Sequence, residues 1–299
     1  MTVVHDFGAW PKGPLSLAIG VFDGVHLGHQ TVVRETAAQA HRAGATAVIC
    51  TFDPLPIEVL APGAPPSALT DIDERCRLLE RAGADAVAVI HFTRELSLLT
   101  PAMFVESLAR AGEVRSIRVG EDFRFGHDRA GNVAVLRDMS ARFGYELVVA
   151  DPVLDGERVV SSTRIRNALL AGELAEAERL LGRRYVVRGV VVSGDPHGRA
   201  LGFPTVDLAV RRSRLLPRDG IYAGWASSGA DRLPAAASLS GDRHVELYLL
   251  ERPATRLEEP VELEFVSRLR DELRFDSPAE ASAQIAKDVD DTRRALAGG

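Results

Sequence analysis

Cysteine is nearly absent from this chain. Cys50 and Cys76 are the two it has, and no CxxC pair occurs. That excludes a disulfide framework and a cysteine-based zinc centre, and both thiols read as small side chains of a core. No apolar run of about 18 residues is present, so no membrane-spanning helix is expected. The opening MTVVHDFGAW has neither the basic segment nor the apolar stretch of a secretory signal. An excess of positive charge is also lacking. The net charge of −6 argues against nucleic acid and anionic membranes as partners, while leaving small anionic ligands open. The cytoplasm is the expected location, and the chain is expected to be a monomer or a weak homo-oligomer.

What remains has the composition of a globular protein, 46% hydrophobic and 26% charged, and its 299 residues suit two domains of ordinary size. Residues 1–183 read as strand-then-helix units. Apolar runs at 17–22, 47–52, 86–92, 117–119 and 146–150 alternate with helical segments at 29–43, 71–82, from Pro101, 132–143 and after Ser162. Residues 61–70, rich in Pro, Ala and Gly, cannot be a regular element. Continuous apolar strands between helices imply a doubly wound, Rossmann-like parallel sheet covered on both faces. Ligands of such sheets sit beyond the strands' C-terminal ends, so the informative loops are 20–29, 120–132 and 151–166. Residues 184–299 change texture. Strands at 185–192, 220–226, 244–250 and 261–265 follow one another without intervening helices, which predicts an antiparallel sheet or small barrel, closed by an amphipathic helix from Ser277 to Leu296.

The strongest chemical signal is Gly20-Val21-Phe22-Asp23-Gly24-Val25-His26-Leu27-Gly28-His29, between a strand and a helix. Glycines let the backbone approach a phosphate, and the helix start adds unpaired N–H groups and partial positive charge. His26 and His29, three apart, share one face and can donate to phosphate oxygens. No Gly-Lys-Ser/Thr follows, so this is not a Walker loop. A metal site lacks a third ligand nearby in sequence.

The pattern resembles the HxGH signature of nucleotidyltransferases. Its extended form, GxFDGxHxGH, resembles the bacterial bifunctional riboflavin kinase/FMN adenylyltransferase family. Gly120-Glu121-Asp122-Phe123-Arg124-Phe125-Gly126 with Gly131-Asn132 looks like that family's second loop, and Ser161-Ser162-Thr163-Arg164-Ile165-Arg166 looks like its SSTxIR motif. The resemblance implies transfer of AMP from Mg-ATP to the phosphate of FMN, giving FAD and pyrophosphate with no covalent protein intermediate. It assigns His26, His29 and Arg166 to the ATP phosphates. Gly20, Phe22, Asp23, Gly24, Gly28, Ser161, Ser162 and Thr163 complete that phosphate site, and Asp122, Phe123 and Arg124 fall near nucleotide and flavin. Asp23 either positions a helix or approaches Mg²⁺. Arg166, a permanent cation, suits a bidentate grip on phosphate, and the hydroxyls suit a helix cap.

The second domain resembles riboflavin kinase through Gly198-Arg199-Ala200-Leu201-Gly202-Phe203-Pro204-Thr205, PRDGIYA at 217–223, and the strand carrying Glu246, which matches the kinase base. FVSRLRDELRFDS and AQIAKDV resemble the family's last helices. Thr205 and Asp207 fall at the positions that hold Mg²⁺ and ATP, but Asp207 stands where the family has Asn. Residues 235–243 read as a shortened loop, and ERPATRLEEP replaces an acidic Tyr-Gly turn. These departures imply a kinase weakened or lost, with Glu246 then a plain strand residue facing solvent. The rival readings are a paralogue that nucleotidylates another phosphate and a flavin- or nucleotide-binding regulator without turnover.

Overall fold

A computed structural model of the protein describes residues 2–8, 10–65, 67–193, 205–241, 243–251 and 260–298. By its contacts the chain forms two compact units, Met1–Ser162 and Thr163–Gly299.

The first unit runs β1 (Thr2–His5), β2 (Pro14–Ile19), α1 (Leu27–Arg42), β3 (Thr46–Asp53), α2 (Pro56–Leu60), α3 (Ile72–Arg81), β4 (Ala86–His91), α4 (Arg94–Ser97), α5 (Pro101–Ala111), β5 (Glu113–Gly120), α6 (Val133–Phe143) and β6 (Glu146–Ala150), then a small hairpin of β7 (Leu154–Asp155) and β8 (Arg158–Val159). Six strands form one parallel sheet in the order β1-β4-β3-β2-β5-β6. Side chains alternate between its faces. Leu15, Leu17, Ile19, Val48 and Cys50 pack on one face against Phe104, Val105 and Leu108 of α5 and Leu136 of α6. Ala18, Ile49, Val87 and Val89 pack on the other against Val33 of α1 and Cys76 and Leu79 of α3.

From β2 the chain moves out to β3 and β4, then crosses back to β5 and β6. The strand order therefore reverses between β2 and β5, the switch point beyond whose carboxyl ends such sheets bind their ligands. The expected strand at 17–22 ends early, at Ile19, because Phe22 takes a left-handed φ of 52° that no strand accommodates. The edge strand β1 and the one-turn helix α2 were too short to show a period in the sequence. Residues 61–65 and 67–70 contain no helix or strand, as their composition predicted.

The second unit holds α7 (Ser162–Ala171, whose first residue belongs to the first unit), α8 (Leu174–Leu181), β9 (Val186–Ser193), β10 (Thr205–Val210), β11 (Gly220–Ser228), β12 (Asp231–Ser240), β13 (His244–Leu249), β14 (Val261–Arg270) and α9 (Pro278–Ala297). Six antiparallel strands close into a barrel, β10-β13-β12-β11-β14-β9. Val245, Leu247 and Leu249 point inward from β13 with Leu233, Ala235, Ala237 and Leu239 of β12, while Glu246 and Tyr248 face outward. Ser277 caps α9 by accepting from Glu280 N at 3.3 Å, as the sequence implied. Two expectations are corrected. Residues 235–240 are the second half of a long strand that pairs with β13 throughout, so what looked like a shortened loop is a tight hairpin. FVSRLR belongs to β14, not a helix, because Val261, Leu263 and Phe265 alternate into the barrel.

Candidate active site

The loops after β2, β5 and β6 leave three neighbouring strands at one sheet edge, which is where the motifs were expected to meet. His26 is the N-cap of α1, and its Nδ1 accepts from His29 N at 3.3 Å. With Nδ1 accepting, the neutral ring carries its proton on Nε2 and presents a donor there. His29 lies in the first turn, its ring stacked on that of His26 at 3.6 Å between centroids, 18° between planes. The rings of Phe22 and His29 make an edge-type contact, 5.1 Å between centroids and 63° between planes. The helix start leaves the amides of Leu27 and Gly28 without an intrahelical acceptor. Gly28 is required for packing: a Cβ there would lie 3.1 Å from the His26 ring and 3.7 Å from the Val160 carbonyl of the β6–α7 loop. HxGH is thus a capped helix start whose glycine makes room for the capping imidazole.

The turn before it is held in an unusual backbone. Phe22 and Val25 have φ of 52° and 40°, and Gly24 has 85°. A left-handed φ is uncommon in a large aromatic or β-branched residue, and surrounding structure must impose it. Burial of Phe22 and Val25 among Ala18, Val33 and Ile49 does part of that. The Asp23 carboxylate does the rest. Fully buried, it accepts from Leu69 N at 2.9 Å, Thr70 N at 3.0 Å and Thr70 Oγ1 at 3.1 Å. The Asp23 carboxylate is thus engaged by the loop before α3, and Phe22 contributes a core ring that packs against His29. Gly20 lies under that ring, where a Cβ would come within 3.2 Å of it.

Three participants escaped the sequence reading. Arg75, buried in α3, donates to Phe52 O at 2.8 Å, to Thr51 Oγ1 at 3.2 Å and from Nε to Thr70 Oγ1 at 3.3 Å. Thr51 Oγ1 in turn donates to Val21 O at 2.7 Å, and Thr70 Oγ1 accepts from Gly24 N at 3.1 Å. Burial lowers the pKa of Arg75, and the carboxylates of Asp23 and Asp53 oppose that shift. The available signal was an arginine on the apolar stripe of Ile72, Cys76 and Leu79.

Ser162 Oγ donates to Asp23 O at 2.9 Å, so the first and third loops are joined directly. Ser161 is half-buried beside it, and Thr163 is exposed on the next residue of α7. Arg166 lies one turn further along α7, in the second unit, half-buried. Arg164 of the same motif is tied to Glu176 at 2.7 Å. In the second loop Asp122 and Arg124 are exposed, and Arg124 donates to the Phe123 carbonyl at 2.9 Å. Phe123 stacks on Phe125 at 5.4 Å, and Asn132 caps α6 by accepting from Val135 N at 3.1 Å.

In the second unit β10 pairs with β13 so that Thr205 faces Tyr248 and Asp207 faces Glu246 across the outer surface. Thr205 is buried. Asp207 Oδ1 lies 3.0 Å from His244 Nε2. Glu246 is half-buried, opposite Ser238 of β12, and lines a cavity of about 160 Å³ with Ser238, Tyr248, Arg270, Phe275 and Asp288. It is therefore not a plain solvent-facing strand residue. The far wall is fixed by Arg270, whose Nε donates to Asp288 Oδ1 of α9 at 2.8 Å. Among the described residues no group of three His, Cys, Asp or Glu is arranged to hold a metal ion by itself. Residues 198–204 of the GRALGFPT motif and 252–259 of ERPATRLEEP lie outside the described residues.

Comparison with known proteins agrees with this layout. The FAD synthetase family model matches residues 11–164, and the riboflavin kinase model matches residues 181–296. The bifunctional riboflavin kinase/FMN adenylyltransferase of Escherichia coli (strain K12) is 32% identical over 294 residues, covering 95% of this chain and 94% of that protein. The protein of the same description from Haemophilus influenzae is 34% identical over 287 residues, covering 92% of each. A crystal structure of a Streptococcus pneumoniae protein described as a macrolide-efflux protein superposes with a TM-score of 0.85 at 28% identity, covering 98% of this chain and 99% of that one. No helix among the described residues here is long and apolar enough to cross a membrane. With both family models matched in order and relatives aligned over nearly its whole length, the chain belongs to the bifunctional riboflavin kinase/FMN adenylyltransferase family.

Proposed function

We propose that the first unit transfers AMP from Mg-ATP to FMN and that the second phosphorylates riboflavin. The observation that carries the first activity is the stacked His26–His29 pair at a helix start on the switch point of a parallel sheet. A phosphate oxygen of FMN attacks the α-phosphorus of ATP. The bond from that phosphorus to the bridging oxygen breaks, and pyrophosphate leaves with the electron pair. His26 Nε2–H, the His29 imidazole and the amides at the α1 start donate to oxygens that gain negative charge, so catalysis is positioning and neutralisation. Arg166 and the hydroxyls of Ser161 and Thr163 are read as further phosphate donors, and Asp122, Phe123 and Arg124 as the nucleotide and flavin side. Asp23 is read as the brace of the loop, and Mg²⁺ bound with ATP would offset the charge of its phosphates. The boundary for this function is kept at residue 183.

In the second unit Glu246 takes the proton of a riboflavin hydroxyl as that oxygen attacks the γ-phosphorus of ATP, releasing ADP. Thr205 and Asp207, two apart on one strand, are the residues that would hold Mg²⁺ through oxygen, and the ion would offset phosphate charge. With the hairpin at 235–243 accounted for, the expected weakening rests on Asp207, with its contact to His244, and on the ERPATRLEEP segment, most of which lies outside the described residues. Both reactions are read as cytoplasmic, which fits their small soluble substrates. Incubation with Mg-ATP and FMN, and separately with riboflavin, followed by chromatography, tests both parts. FAD from FMN supports the transferase, and FMN or FAD from riboflavin supports the kinase. Flavin binding without product from either overturns the reading in favour of a non-catalytic binder.

A further inference from the structure

Arg75 touches no group assigned to the reaction, yet its hydrogen bonds converge on the backbone that carries that group. Through Thr51 it reaches the Val21 carbonyl, and through Thr70 it reaches the Gly24 amide and the Asp23 carboxylate. Those three residues bracket Phe22 and precede Val25, the two positions held at left-handed φ. The side chain is 1% exposed, and so is Asp23, whose Oδ1 stands 3.9 Å from Arg75 Nη2. Taking a guanidinium out of water is unfavourable even with a partner, and an apolar side chain of similar volume commonly packs as well or better. Stability is therefore a weak reason for this arginine, whereas fixing one backbone conformation is a reason that fits its partners. The conformation matters because the Phe22 ring packs against the His29 ring and Val25 leads directly into the His26 cap.

We infer that Arg75, acting through Thr51 and Thr70, is a positioning residue for adenylyl transfer: it holds residues 21–25 in the left-handed turn that aims His26 and His29 at the reacting phosphates. This rests on the transferase reading above. Thr70 is the relay with most connections, since its hydroxyl accepts from Gly24 N and Arg75 Nε and donates to Asp23 Oδ1.

The test uses the full chain carrying Thr70→Val, Arg75→Met or Arg75→Lys. Thr70→Val keeps the side-chain shape and is the decisive variant if Arg75→Met fails to fold. Three quantities are measured: kcat and KM for Mg-ATP and FMN, hydrogen exchange of the peptide spanning residues 20–30, and the thermal unfolding midpoint. Thr70→Val and Arg75→Met are expected to lower kcat by about 10²-fold, the scale of a misplacement of order 1 Å, with KM for ATP little changed. The Gly24 amide should exchange faster, and Arg75→Lys, which keeps the charge, should recover part of the rate. Folded variants with parental kcat would overturn the inference, as would a loss of rate that merely follows the unfolded fraction. If the parent protein makes no FAD from FMN, the transferase reading fails by itself. Exchange then decides the brace: faster exchange at 20–25 in Thr70→Val supports it, and parental exchange rejects it.

Discussion

At the sheet edge the proposed reacting groups stand on one short stretch, with His26 capping α1 and His29 in its first turn, whereas on the barrel they come from strands far apart in sequence: Thr205 and Asp207 on β10 and Glu246 on β13. In the first case a helix start fixes several groups at once, and a buried polar network under the preceding turn fixes the helix start. In the second case each group is placed only by strand register, and the outward face puts Glu246 beside a cavity whose other wall includes α9. A local site of the first kind concentrates its sensitivity in a few contiguous residues and their brace. A register-built site depends on single side chains, and a neighbour across the strand, such as Asp207 opposite Glu246, can retune it.

Glu246→Gln should produce the largest effect. If Glu246 is the base, phosphorylation of riboflavin falls by about 10²- to 10⁴-fold, the usual worth of proton transfer, while FAD formation from supplied FMN is unchanged. A joint fall of both rates would break the comparison by coupling the two sites. The mirror experiment is His29→Ala. Loss of one transition-state donor predicts a drop of about 10²- to 10³-fold in FAD formation, with riboflavin phosphorylation intact. Because Phe22 and His26 both pack against that ring, the unfolding midpoint has to be measured alongside, and a folded variant with full turnover would remove His29 from the mechanism.

How much of this was legible in the sequence follows the same division. The sheet, its helices and the glycine-rich turn could be read because each is a local pattern: apolar runs closed by Gly or Pro, helix starts at Asp71, Pro101, Asn132 and Ser277, and HxGH itself. The role of Asp23 could not, since its partners Leu69 and Thr70 are more than forty residues away and become neighbours only when the loop before α3 folds over the β2 turn. Arg75 was hidden for the same reason, as a charged residue on an otherwise apolar stripe. On the barrel, 235–240 was mistaken for a loop because Ala-Ala-Ala-Ser has little β character of its own. Pairing on both sides, with β11 and β13, makes it a strand.

A smaller effect is expected at Asp207. Its carboxylate lies directly across from Glu246, where like charges disfavour each other by about 0.2–1 kcal/mol, and it is also engaged by His244. If the added charge weakens the kinase, Asp207→Asn raises the rate of riboflavin phosphorylation by a factor of about two to five, consistent with that energy, and leaves FAD formation from FMN alone. A further fall in rate would instead show that the carboxylate is serving the metal, and that this chain has adapted to the change from amide to acid.

The mildest probe touches neither reaction. Both thiols, Cys50 on β3 and Cys76 on α3, are buried in the first unit, and the second unit has none. Burial pushes the Cys50 thiol far up and raises Cys76 from 9.0 to about 11, with nearby Arg75 partly offsetting the latter. At pH 8 the native protein should therefore be inert to a thiol-specific reagent, and reactivity should appear in urea only as the first unit opens. Because the folded pKa lies above the unfolded one, the thiols favour the fold below pH 9, and that contribution is lost as the pH rises towards 11, where the unfolded chain ionises first. Loss of FAD formation in urea should track thiol modification, whereas loss of riboflavin phosphorylation follows its own course if the barrel unfolds separately. Coincident curves at every urea concentration would show instead that the two units melt as one, and that the local brace and the register-built site share a single stability.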